Sequence, residues 1–201
     1  LLGLDKDPQA IAAGQDLAAL DRRFEIIHGS FADTLELIRS RWPEGVDGVL
    51  LDLGVSSPQL DQCERGFSFL RDGPLDMRMN TEAGISAAQW LAIAAEADIA
   101  KVLKDFGEER FAKRMARAVV QERAIKPIET TLHLAKVIAD AHPAWERGKH
   151  PATKASKAIR IYFNNELVVL QQFLDQVSDM LDICFRLVII SFHPLKVHKV
   201  K

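Results

Sequence analysis

The chain has 201 residues, of which 48% are hydrophobic, and a net charge of −2. That length suffices for one good core, or one core with a small satellite domain. No run of about 18 apolar residues suggests a membrane span. Cys63 and Cys184 are the only cysteines and lack zinc-site spacing, so a reduced, cytoplasmic protein without a metal is expected.

The charge is unevenly spread. Residues 1–100 carry 8 Lys/Arg and 17 Asp/Glu, a net of −9, and residues 101–201 carry 18 and 11, a net of +7. A polyanionic partner would therefore dock on the second half; ordinary solvated helix faces explain the same bias equally well.

Leu1–Asp5 is a short apolar run ending in an acid. It reads as the middle of a strand, so a preceding element is expected. Pro8 opens a helix through about Leu20. Phe24–His28 is a second strand, and Ala32–Arg41 a short helix stopped before Pro43. Gly48–Leu53, nearly all apolar, is expected to be a strand buried on both faces. Strands alternating with helices predict a parallel α/β sheet.

Ser56 to Asn80 has no regular period, as expected of a functional or disordered loop. Helices follow. Ser86 can cap the first, and Ile99, Val102, Leu103 and Phe106 give the second an apolar face. A third is expected from about Glu108 to Arg123 and a fourth from Thr131 to Ala141. The chain returns to the core through Gly148–Pro151. One long helix is predicted from about Ser156 to Leu181, with Ile159, Phe163, Leu167, Leu170, Leu174, Val177 and Leu181 as one stripe. Leu187–Phe192 is a last buried strand. The boundaries predicted are 1–60 with 150–201 for the α/β core and 61–149 for a loop plus helical insertion.

Some residues can carry chemistry. Asp5 ends a strand, where an acid can accept ribose hydroxyls of a nucleotide-like ligand; it can equally serve the following helix N-terminus. Asp52–Gln59 also follows a strand. Gly54 and Pro58 would make a rigid turn offering oxygen acceptors, which an exocyclic amine needs if its delocalised lone pair is to attack. A plain helix cap is the alternative. In Arg71–Met79 the arginines suit phosphate and the aspartates a base amine, while Phe67 or Phe69 suits base stacking; a self-satisfied surface network fits as well. Arg110, Lys113, Arg114 and Arg117, at i, i+3, i+4 and i+7, share one helix face suited to an RNA backbone, unless Glu108, Glu109 and Glu122 balance them. The six histidines form no metal set.

Several segments, in order, carry a resemblance: Gly3–Pro8, Asp47–Gln59, Glu64–Phe69, Asp72–Met79, Gly107–Ala112, His150–Thr153, Asn164–Leu167 and Ser191–His193. With them the chain closely resembles the RsmH (MraW) family of 16S rRNA cytosine-N4 methyltransferases. The resemblance implies an α/β fold with a Rossmann-type class I methyltransferase sheet and an inserted all-helical subdomain that recognises the substrate. It implies S-adenosyl-L-methionine as cofactor and 16S rRNA or the small ribosomal subunit as partner. By motif, Asp5 would hold the cofactor ribose and Phe31 would lie against its adenine. Asp52 and Gln59 would complete the pocket, and the catalytic turn Ser56-Ser57-Pro58 would face the target amine. Arg71, Arg78, Arg110, Lys113, Arg114 and Arg117 are the expected RNA contacts.

The sequence departs from the family in places. The glycine-rich loop that cradles the cofactor's methionine part is expected before Leu1, and without it weak cofactor binding is predicted. Ile183–Arg186 replaces a Pro-Gly-Gly-Arg turn, Lys154–Lys157 an Arg-Thr-Phe-Gln-like stretch, and Pro194-Leu195-Lys196-Val197 the usual Ser-Leu-Glu-Asp. A catalytically impaired RNA-binding fragment and a DNA amino-methyltransferase are the competing readings. The oligomeric state stays open, a homodimer included.

Overall fold

The computed structural model describes residues 1–144, 150–177, 181–191 and 193–200, with the side chains of 181–185 left outside the description. It is a mixed α/β protein, mostly helical, with small parallel sheets. The chain divides into two compact units. One comprises Leu1–Gly54, Met79–Ala83 and Asn165–Lys201; the other comprises Val55–Arg78 and Gly84–Asn164.

The first unit holds the strands. β1 (Leu2–Asp5) is followed by α1 (Pro8–Leu20) and β2 (Glu25–His28). Asp7 caps α1 by accepting the Gln9 N–H at 3.0 Å, and Pro8 starts the helix with φ already set. The helical crossover lets β1 and β2 pair in parallel, Leu2 opposite Glu25 and Asp5 opposite His28. Gly14 lets α1 lie close on β2, since a Cβ there would stand 2.3 Å from the Ile26 side chain. A short 3-10 turn (Phe31–Asp33) leads into α2 (Thr34–Arg41) and then β3 (Val46–Leu53). α9 (Glu166–Val177), β4 (Leu181–Ser191) and α10 (Pro194–Val200) complete the unit. β3 and β4 form a second parallel pair, Leu53 opposite Ser191.

Two strand expectations need correction. Ile38, Leu51, Leu53, Leu170 and Phe173 form this unit's core, joined by Val49, Leu187 and Ile189. That core covers one face of the β3–β4 pair. Side chains alternate across a strand, so the residues between point the other way. Leu50 is 64% exposed, Val188 49% and Ile190 39%. Gly48–Leu53 and Leu187–Ser191 are therefore buried on one face among the described residues. Phe192 lies outside them.

The second unit is built from α3 (Ser57–Asp61), α4 (Ala87–Ile93), α5 (Glu96–Gly107), α6 (Ala112–Ile125), α7 (Thr131–Ala141) and α8 (Ala152–Phe163). Leu91, Ile99, Leu103, Met115, Leu134, Ile138, Ala155 and Ile159 pack as one core, which also takes in Leu75 and Met77 from the preceding loop. Ser86 caps α4 as expected, with a reciprocal Gln89 bond to its own backbone.

The single long helix from Ser156 to Leu181 is not found. α8 ends at Phe163 and α9 starts at Glu166, with Asn165 at φ 51°. Asn tolerates this left-handed conformation better than most residues. The buried Asn164 amide donates to the carbonyls of Arg160 at 2.9 Å and Met77 at 2.8 Å, which stabilises the break. The three- and four-residue spacing runs through the break, so periodicity alone hides it. Ile159 joins the helical core, while Leu170 and Phe173 join the strand core. The chain passes between the two units at 54/55, 78/79, 83/84 and 164/165. Residues 145–149 lie outside the described residues, and with them most of the expected return segment.

Candidate functional site

In an open parallel sheet, ligands bind beyond the carboxyl ends of the strands. Three predicted cofactor residues stand there in the strand unit. Asp5 ends β1, Phe31 sits in the turn after β2, and Asp52 is the penultimate residue of β3. Asp5 Oδ1 accepts the Asp7 N–H at 2.8 Å, and its carbonyl accepts the Gly29 N–H at 2.9 Å. The carboxylate is thereby oriented by its own turn. The half-buried Phe31 ring meets Phe173 edge-on, centroids 6.1 Å apart, which steadies the ring. Ser30 caps this turn, its hydroxyl accepting the Ala32 N–H at 3.2 Å. Asp52 is exposed. Two carboxylates and a fixed aromatic ring are the chemistry a nucleoside needs: acceptors for sugar hydroxyls and a face for the base.

The other predicted pocket residues belong to the helical unit. Ser56 is the N-cap of α3, and its hydroxyl accepts the Gln59 N–H at 3.4 Å. The buried Gln59 returns the bond, its Oε1 accepting the Ser56 N–H at 3.1 Å. Ser57 and Pro58, in the first turn, are exposed. The turn is a capping box, rigid for that reason. A hydroxyl oxygen has two acceptor sites, so the cap leaves Ser56 able to accept again.

The loop from Cys63 to Met79 is built rather than loose. Gly66 takes φ 74°, and a Cβ there would stand 2.4 Å from the Pro74 carbonyl. Met77 N–H donates to the Arg65 carbonyl at 3.1 Å, and Leu75 N–H to that of Glu129 at 2.8 Å. Arg78 grips Asp76 with two bonds, at 2.7 and 2.8 Å, and donates to the Gly84 carbonyl at 3.1 Å. Burial alone would raise the Asp76 carboxyl. The Arg78 bonds, helped by the charge of Arg65, outweigh it and hold Asp76 below the usual carboxylate range. Arg71 donates to the Asp61 carbonyl at 2.9 Å. Asp72 Oδ1 accepts the Leu132 N–H at 3.0 Å in the first turn of α7, and this amide holds its carboxyl below the usual range. Asp72, Asp76, Arg71 and Arg78 all have internal partners.

Of the expected basic stripe, Lys113, Arg114 and Arg117 lie exposed on α6, while Arg110 sits in the turn before it. The Arg110 guanidinium stands 5.9 Å from the Phe111 ring centroid. Arg117 pairs with Glu96 at 3.7 Å. Of the acids expected to balance the stripe, Glu122 instead bonds His133 at 2.8 Å, and the buried Glu109 accepts the Phe111 N–H at 3.0 Å.

Sequence reasoning missed a buried charged cluster in the strand unit. Lys196 of α10 and Glu166 of α9 form an ion pair at 2.5 Å, their side chains 2% and 5% exposed. Asn164–Leu167 is a family stretch, yet nothing in its residue types assigns Glu166 this role. Lys196 stands between Leu195 and Val197, which is the only local sign of burial.

No described helix is long and apolar enough to cross a membrane. A family model described as the MraW methylase family matches residues 1–201, so the chain belongs to that family, the RsmH family, whose general chemistry is methyl transfer from an S-adenosylmethionine-type donor.

Proposed function

We propose that this chain takes part in S-adenosyl-L-methionine-dependent methylation of the exocyclic N4 amine of a cytosine in 16S rRNA, in the decoding region. The supporting observation is that Asp5, Phe31 and Asp52 lie at or just after the carboxyl ends of three successive strands of one unit, in a chain of a methylase family. The cofactor, when bound, supplies an electrophilic methyl group. Asp5 would accept its ribose hydroxyls, Phe31 would lie against its adenine, and Asp52 would add an acceptor in the same unit; the family motif gives Gln59 a cofactor role too. Acceptors in the Ser56-Ser57-Pro58 turn hold the N–H groups of the amine, so that its lone pair is free to attack. In this reading β1–β2 and β3–β4 belong to one Rossmann-type sheet, and the helical unit is the inserted substrate-recognition subdomain. The exposed cations on and before α6 face the RNA backbone, with 16S rRNA or the small ribosomal subunit as partner.

Calorimetry with S-adenosylmethionine tests the pocket. Asp5→Ala is expected to weaken binding by about 1–3 kcal/mol, the range for losing hydrogen bonds to a charged group. An unchanged dissociation constant would return Asp5 to a purely structural role in its turn. Incubation with undermethylated small subunits and with DNA, followed by nucleoside mass spectrometry, tests the substrate. N4-methylcytidine from the RNA alone is expected. RNA binding without methyl transfer would favour a non-catalytic RNA-binding protein.

A further inference from the structure

Phe67 and Phe69 are the stacking rings that the sequence offers in the charged loop, and the structure places them differently. Phe67 is buried at 8% exposure, with the Arg65 guanidinium 5.8 Å from its ring centroid. Phe69 is half-buried and leans on the helical core. The His150 imidazole lies against the Phe69 ring, centroids 4.9 Å apart and planes at 42°. His150 itself is exposed. Its ring is held from a second direction, because Nδ1 accepts the Ala152 N–H at 3.2 Å. The His150 carbonyl accepts the Thr153 N–H at 3.0 Å, which starts the turn into α8. The chain repeats this construction at His142, which meets Phe111 with centroids 5.0 Å apart and accepts the Ala144 N–H at 3.2 Å. There the side chain is 12% exposed, so the ring serves packing. His150 is the exposed version.

The surroundings suit a nucleic acid. Leu70, next to Phe69, is 88% exposed. Lys154, one helical turn beyond His150 and on the same side, is exposed too. Arg71 of the same loop holds the Asp61 carbonyl at the end of α3, at 2.9 Å, which ties the loop to the helix that follows Ser56. All of these residues belong to the helical unit. A planar ring fixed in advance by two contacts loses little freedom when a second ring lies on it. Single-stranded nucleic acids are bound in this way, a base on an aromatic face and cations on the phosphates.

We propose that the exposed imidazole of His150, backed by Phe69, is a stacking platform for an unpaired base of the RNA strand that carries the target cytosine, with Lys154 on an adjoining phosphate. This rests on the reading of RNA as the substrate. Stacking selects a single strand over a duplex, which cations on phosphates alone do not do.

Two variants of the whole chain separate the ring from the cap. His150→Asn keeps a side-chain acceptor for the Ala152 N–H and removes the ring. His150→Phe keeps a ring and removes the acceptor. Each is read by its melting temperature and by titration with a single-stranded oligoribonucleotide and with a duplex of the same sequence. The oligoribonucleotide carries a fluorescent purine analogue whose emission falls when its base stacks. His150→Asn is expected to melt like the parent, to bind the single strand about tenfold more weakly and to lose the quench. His150→Phe is expected to melt lower, yet to keep the quench and a single-strand affinity within about twofold of the parent. Duplex binding is expected to change in neither. A His150→Asn variant that binds and quenches like the parent would overturn the proposal. So would an equal loss of single-strand affinity in both variants, or a parent chain that binds no RNA or binds both forms alike without a quench. The proposed function is decided separately, by nucleoside mass spectrometry. Methyl transfer to RNA with no quench would sink the stacking platform alone, and a His150-dependent quench without methyl transfer would count against the methylation alone.

Discussion

Asp76 and Arg78 show what single residues contribute. Their side chains are each 22% exposed and joined by two hydrogen bonds, so their pairing is screened less than a surface ion pair. The Asp76 carboxyl lies below its ordinary value in the folded chain. Stability from this group is therefore fully present above the unfolded value of about 3.9 and is lost as the pH falls through the lower folded value. Arg78→Gln is expected to cost about 1–2 kcal/mol near neutral pH and much less in strong acid. Urea titrations of both proteins across the acid limb would show the curves converging as pH falls. Parallel curves would mean that the arginine acts through packing and its bond to Gly84 instead. The same pairing bears on RNA binding, since a guanidinium with three of its five N–H donors engaged has fewer to offer a phosphate.

At the scale of elements, most of the chain's order was readable from turn chemistry and periodicity. Pro8, Ser86 and Thr131 mark helix starts where the structure has them, because capping and φ restriction are local effects. The break between α8 and α9 was not readable. Two asparagines interrupt a stripe whose period survives them, and the bond from Asn164 to Met77 joins residues 87 apart in sequence. Asn165 gives the test. At φ 51° a Cβ-bearing residue without a local hydrogen-bonding side chain is strained, so Asn165→Ala should lose about 1 kcal/mol. Asn165→Gly should lose nothing or gain slightly. A continuous helix would reverse the order, because alanine is the best helix former and glycine among the worst. Chemical denaturation of the two variants distinguishes these cases.

For the whole molecule, the charge asymmetry read from the sequence has a structural counterpart. Of the cations in the basic second half, Lys196 is buried against Glu166 and Lys199 donates to Gln171, so both are committed within the chain. The legible part of the candidate site is the part set by strand ends and helix caps: Asp5, Phe31, Asp52 and the Ser56 turn. The illegible part is the buried Glu166–Lys196 pair, which joins residues 30 apart in sequence. Lys113 and Arg114 of α6 are among the described cations that stay exposed for a polyanion. If Lys113 and Arg114 contact RNA phosphates, they add affinity without reading sequence. Replacing both by Gln should weaken RNA binding and reduce the slope of log affinity against log salt by roughly 0.7 to 0.9 per lost contact. Both are exposed, so melting should change by at most about 1 kcal/mol in free energy, and cofactor affinity should not change. The competing view treats α6 as a solvated face. It predicts the same small stability change with an unaltered salt slope. RNA affinities at several salt concentrations, measured beside the melting of the same variants, separate the two. An unaltered slope would move the RNA-contacting surface away from α6 and toward Arg71, whose exposed guanidinium is held by the Asp61 carbonyl.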